Sequence, residues 1–152
     1  MKPDVYKRHI KNFSNHWWFQ ARKKIIEATI SKNFKRKLNI LDFGSGSGVN
    51  IKMLSKFGFV NIYEPHLKTT KYLKLKYKNT KKFKILKKIG KNKFDLIILA
   101  DVLEHIKYDK KELERLSGNL NKNGHILITV PAYKFLFSIK DKILGHHRRY
   151  NK

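Results

Sequence analysis

Apolar residues recur along this chain with two periods, and the changes of period mark out alternating helices and strands. From His16 to Ile30, the residues Trp18, Ala21, Ile25 and Ala28, with Phe19, Ile26 and Ile30, fall at helical spacing and predict an amphipathic helix ahead of the first strand. Asn39 to Phe43 is a short apolar strand carrying an acid, Asp42, and three glycines follow it at once. Ile51, Leu54 and Phe57 predict a crossover helix with Gly58 as its C-cap. Phe59 to Tyr63 reads as strand two, Leu67, Thr70, Leu73 and Tyr77 as one face of a lysine-rich helix, and Phe83 to Leu86 as a short strand three. Phe94 to Leu99, apolar except for Asp95, has the unbroken character of a central parallel strand buried on both faces. Two helices are expected at Asp101 to Ile106 and Lys110 to Leu120, after which Asn123-Gly124 turns into strand five, His125 to Val130, stopped by Pro131. The alternation predicts an α/β fold: a doubly wound, Rossmann-like, mostly parallel sheet. Residues 1–38 form an N-terminal helical segment in this reading, and residues 39–152 the sheet domain.

The glycines Gly44, Gly46 and Gly48 stand on alternate positions between strand and helix, where backbone must turn with φ > 0 or lie against a ligand without a Cβ. Their spacing, G-x-G-x-G, is neither the dinucleotide fingerprint G-x-G-x-x-G nor a Walker loop, so the turn is not read as a phosphate cradle. In an open α/β sheet the ligand sits at the carboxyl ends of the strands, and Asp42, Glu64, Asp101 and Pro131 fall at such ends. Glu64, at the tip of strand two, is suited to accept both hydroxyls of a ribose. Its place before Pro65 at a helix start is equally what the helix dipole favours. Asp101 and Glu104 have the spacing of a capping box. His105, alone on a short helix, is a candidate general base.

With Asp42 ahead of the first glycine, the stretch Asn39 to Asn50 resembles motif I of the class I S-adenosylmethionine-dependent methyltransferases. Phe94 to Ile106 resembles the strand-four motif of the same family, whose segment borders the methionine end of the cofactor. Pro131 to Tyr150, together with Trp17, Trp18, Phe19 and Arg22, is similar to a subgroup acting on small molecules. The resemblance implies S-adenosyl-L-methionine as cofactor, held by Asp42, Gly44, Gly46, Gly48, Glu64, Asp101 and Val102. It also implies an acceptor side containing Tyr133, Arg148 and Arg149, where paired guanidiniums suit a planar anion, with His105 and His146 as catalytic candidates. The family's acid for adenine is missing from Lys87-Lys88-Ile89-Gly90, which leaves Ile89 as the candidate contact. The resemblance also implies the strand order 3-2-1-4-5 for the cofactor half of the fold; family members continue past strand five into a helix and an antiparallel pair, whereas this sequence ends at Lys152. Strand five is then expected to be an open edge, with an incomplete acceptor wall and a tendency to pair with a second copy or a partner chain.

Composition narrows the chemistry further. Zero cysteines among 152 residues exclude disulfides, thiolate metal sites and a cysteine nucleophile. Adjacent His146 and His147 do not by themselves make a tetrahedral zinc site. The net charge of +25 comes mostly from lysines spread from end to end, which predicts weak, salt-sensitive nucleic-acid binding without sequence preference. No apolar run is long enough to span a membrane, and Met1 to Ile10 lacks the apolar core of a signal peptide, so a cytoplasmic protein is expected. The leading expectation is methyl transfer to an oxygen of a small, anionic acceptor, with a nitrogen as the second choice of atom. A catalytically impaired cofactor-binding protein acting with a partner, and a basic RNA-binding module, stand as the alternatives.

Overall fold

The computed structural model describes residues 17–78 and 83–151. Five parallel strands, β1 (Leu38–Phe43), β2 (Gly58–Tyr63), β3 (Phe83–Ile85), β4 (Phe94–Ala100) and β5 (Leu120–Thr129), lie in the order β3-β2-β1-β4-β5. Side chains alternate across the sheet and feed two cores. Ile40, Val60, Ile62, Leu96 and Ile98 point to one face, where α1 (Trp17–Asn33), α2 (Ile51–Leu54) and α3 (Leu67–Lys76) cover them with Ile26, Ile30, Met53, Leu54 and Leu73. Leu41, Phe43, Ile97 and Leu99 point to the other face, against Leu103 and against Leu116 of α4 (Asp109–Ser117). The two-sided burial of β4 matches its unbroken apolar run.

Several local expectations give way to packing. The buried stripe of α1 is Arg22, Ile26 and Ile30, while Ile25 and Trp18 are exposed; His16 lies outside the described residues. Gly58 does not cap α2. It is the first residue of β2, paired with Leu38, and a Cβ there would stand 1.9 Å from the Leu38 carbonyl oxygen. What reads as a C-cap is a site of strand-to-strand contact that only glycine permits. The predicted Asp101–Glu104 capping box is absent, because Asp101 takes a left-handed φ of 55° and the following turn, Leu103–His105, is a single 3-10 turn without a side-chain cap. Leu120 belongs to β5 rather than to α4, and β5 slips in register against β4 between Phe94 and Leu96, with Asn123 at φ 61° in the irregular stretch. Ile89 is buried in the core, 3% exposed, and is not free to meet adenine.

At the amino end of the sheet, Asp95 ties three segments together. Its carboxylate accepts from the Arg36 guanidinium at 2.9 Å, the Asn39 amide at 2.8 Å and the Asn121 side chain at 3.0 Å. The Arg36 hydrogen bond, opposed by burial and helped by the Asn39 amide, holds the carboxyl down at about 2. Because the folded value lies below the unfolded one, Asp95 stabilises the fold above the ordinary carboxylate range, and that contribution disappears as pH falls from about 4 toward 2. Denaturant midpoints measured across this window should fall more steeply for wild type than for Asp95→Asn; parallel curves would show that Asp95 contributes nothing.

Candidate active site

The carboxyl ends of β1, β2 and β4 meet around the glycine turn. Gly44, Gly46 and Gly48 all have positive φ, at 72°, 54° and 76°. A Cβ on Gly44 would reach the Val102 methyls at 2.8 Å, and one on Gly48 would reach Leu73 at 2.7 Å. A Cβ on Gly46 would meet nothing within 4 Å, so the middle of the turn faces open space. Glu64 spans the turn from the tip of β2. Its carboxylate accepts from the Gly46 amide at 2.8 Å and from the His66 amide at 2.9 Å. Each oxygen thereby keeps a further lone pair for a ligand.

Asp42 is buried at the end of β1 and accepts from the Ser45 hydroxyl at 2.6 Å. Burial pushes its carboxyl up to about 6 against the opposing effect of the Ser45 hydrogen bond, with the neighbouring Glu64 charge adding to the rise. Asp101, at the end of β4, accepts from the Thr129 hydroxyl at 2.8 Å and pairs with the buried guanidinium of Arg22 on α1. Helix α1 thus reaches into the site through a cation. That role is invisible in an apolar pattern, which reads Arg22 only as an interruption.

Beyond Asp101 the 3-10 turn brings Glu104 and His105 toward the final segment. Glu104 is 1% exposed, and its Oε2 has no hydrogen-bond partner. Burial, with Asp101 nearby, pushes its carboxyl up to about 7. His105 Nδ1 lies 3.1 Å from the Gly145 carbonyl, His146 Nδ1 lies 2.9 Å from Asp141 Oδ1, and the two rings pack edge to face with centroids 4.7 Å apart. Partial desolvation lowers the His105 value below the ordinary range against the opposing effect of the Gly145 carbonyl, with the neighbouring His146 adding to the drop. One ligand-type atom from each of Glu104, His105 and His146 lies within 4.8 Å of the others. The catalytic candidates His105 and His146 therefore meet, although they are far apart in sequence.

The final segment is organised by an acid that sequence reasoning passed over. Asp141, 1% exposed in α5 (Ile139–Leu144), forms a capping box with Ser138, takes the His146 ring, and accepts from Arg149 Nε at 2.9 Å and Nη2 at 3.0 Å. The Ser138-x-x-Asp141 spacing was the available signal. Arg148 pairs with Asp109 at 2.9 Å and donates to the Lys107 carbonyl at 2.6 Å, while the Tyr150 hydroxyl donates to Asp109 at 2.9 Å. Neither arginine is the free anion hook that adjacent guanidiniums suggest, because each already serves a carboxylate of the chain. Tyr133, at φ 62° and exposed, stacks at a tilt on Phe135.

A family model described as a methyltransferase domain matches residues 15–151, nearly the whole chain. The chain belongs to this family. With the five-stranded sheet order it is a class I S-adenosylmethionine-dependent methyltransferase domain, as its motifs imply. Among solved structures, the N-methyltransferase NodS from Bradyrhizobium japonicum WM9, in complex with S-adenosyl-L-homocysteine, matches at 13% identity with a TM-score of 0.73, over 97% of this chain and 79% of that one. Coclaurine N-methyltransferase, bound to N-methylheliamine and S-adenosyl-L-homocysteine, matches at 16% identity and TM-score 0.67, over 86% and 44%. The CurJ carbon methyltransferase matches at 14% and 0.68, over 82% and 39%. This chain thus spans less than half of these last two chains, and at such identities the likeness is one of fold. No curated protein matches the sequence. Among the described residues no helix is long and apolar enough to cross a membrane.

The internal pairing of Arg149 makes a specific demand. Arg149→Ala leaves the buried Asp141 carboxylate short of its bidentate partner, and breaking a buried pair on one side costs about 3 kcal/mol. Thermal unfolding should show a clear drop in Tm. An unchanged Tm with weakened acceptor binding would instead restore the anion-hook role.

Proposed function

We propose that this domain transfers a methyl group to an oxygen of a small acceptor, with the glycine turn holding the cofactor and the Glu104–His105–His146 cluster activating the acceptor. Bound S-adenosylmethionine supplies an electrophilic methyl group on a sulfonium. The chain's own work is to hold the two reactants in line and to ease the loss of the acceptor's proton.

The residues present fit that cofactor. Gly46 opens on free space, and Glu64, anchored on two backbone amides, has lone pairs left for the hydroxyls of a ribose. Val102 packs over Gly44 and borders the turn, and Asp42 and Asp101 add negative charge near a cationic ligand. The observation that carries the oxygen reading is the pair of imidazoles: each has its Nδ1 engaged by an acceptor, so each neutral ring keeps its Nε2 lone pair for work at the site. Tyr133 contributes an exposed aromatic surface to the acceptor side. Association through the outer edge of β5, and weak lysine-driven attraction to nucleic acid, belong to the same proposal and are secondary to it.

Glu64→Ala should weaken cofactor binding about ten- to a hundredfold, since hydrogen bonds to a charged group are worth about 1.5–3 kcal/mol. Titration calorimetry beside a melting curve is the check: unchanged affinity with a lowered Tm would mean that Glu64 serves only the turn. Methyl transfer from labelled cofactor into fractionated cell extract identifies the acceptor. Label found on nitrogen alone would overturn the oxygen reading.

A further inference from the structure

Among the described residues, one group of histidine and acidic side chains is close enough to hold a metal ion, and it is Glu104, His105 and His146. We propose that these three side chains bind a divalent transition-metal ion of the zinc class, leaving one coordination position open to the acceptor. The acceptor's part in this rests on the oxygen-methylation reading above; the metal site itself does not.

Three observations carry it. The first is the donor set. Two imidazoles and one carboxylate are what a catalytic zinc site uses when a fourth position is left for a small oxygen ligand, and a chain without cysteine offers no thiolate alternative. Zinc ligands at about 2.0–2.1 Å stand ~3.4 Å from one another in a tetrahedron, so atoms already within 4.8 Å need only small side-chain rotations to close on an ion.

The second is the outer layer. His105 Nδ1 faces the Gly145 carbonyl and His146 Nδ1 faces the Asp141 carboxylate, so both rings are held as the tautomer that presents Nε2 as a ligand. Asp141 is itself fixed by Ser138 and Arg149, which makes Asp141–His146 a supported carboxylate–histidine pair. The third is Glu104 Oε2, a buried carboxylate oxygen without a hydrogen-bond partner in a residue that is 1% exposed. Such an atom is costly to leave unsatisfied, and a cation satisfies it. Arg22 acts on Glu104 and its Nε is without a hydrogen-bond partner, but its guanidinium also pairs with Asp101, as Arg149 does with Asp141, so each arginine brings a carboxylate with it and adds no net charge beside the ion.

The test is a titration of the full chain with Co2+, free of cofactor and acceptor, read by visible d–d absorption and followed by displacement with Zn2+. One Co2+ per chain is expected. Glu104→Gln, His105→Ala and His146→Ala should each weaken it at least about tenfold, while His147→Ala, which removes the exposed neighbouring ring, should leave it unchanged. His105 is itself exposed, so His105→Ala keeps the fold testable, and its far-UV circular dichroism should match wild type. Absence of the band, or equal affinity in all variants, would overturn the proposal. So would loss with His147→Ala but not with Glu104→Gln, which would place the ion on the adjacent histidines. Because the readout needs no methyl transfer, a failed acceptor search leaves this result standing, and absence of metal leaves the cofactor reading untouched.

Discussion

A carboxylate taken out of water must be given donors, and this constraint arranges the whole carboxyl-terminal edge of the sheet. The chain has 11 acidic residues, against 36 basic ones. Six of the acids, Asp42, Glu64, Asp101, Glu104, Asp109 and Asp141, gather at this edge. Their donors come from every part of the fold: the Ser45 hydroxyl, the Gly46 and His66 amides, Arg22 from α1, Thr129 from β5, and Arg148, Arg149 and Tyr150 from the final segment. Helix α1 and the final segment are thus held to the sheet partly through charge, while the sheet itself is held by two apolar cores.

The same arrangement separates two electrostatic regimes within one small domain. Lysine is spread over the outside, where solvent screens it and no single residue matters greatly. Inside the cleft the balance reverses. Carboxyls there are pushed up where burial outweighs the more distant charge of Arg22, as at Asp42 and Glu104, and held down where an arginine bonds them directly, as Arg149 does Asp141. A strongly basic chain can therefore gather most of its acids at one edge of its sheet, where net charge is a poor guide to the local field.

How much of this was legible in the sequence follows from how local each signal is. The strand, glycine turn and buried β4 were readable because period and glycine spacing are short-range, whereas the order of the five strands came from the family resemblance, since alternation alone allows several orders. Glu64 was readable because it ends a strand in the right place. Gly58 misled, because a glycine after an apolar stripe looks like a cap when its reason is the backbone of Leu38 across the sheet. Asp101 and Glu104 misled in the same way: the box spacing is present, but the long-range partners Arg22 and Thr129 claim Asp101 first. The Glu104–His105–His146 cluster and the Arg148–Asp109 pair are products of tertiary folding, and no spacing rule announces contacts about forty residues apart; the Arg149–Asp141 pair spans eight residues across the left-handed turn at Gly145.

Two backbone hydrogen bonds, from the Tyr133 amide to the Tyr150 carbonyl and from the Tyr150 amide to the Pro131 carbonyl, draw the final segment into a closed loop. The entropy of closing such a loop is lost once, when its ends meet, rather than residue by residue. The closed loop is then held to the rest of the fold at a few points: Arg148 and the Tyr150 hydroxyl on Asp109, and the His147 amide on the Glu104 carbonyl. Asp109, from outside the loop, thus helps to fix the residues that the loop sets against the 3-10 turn, His146 among them.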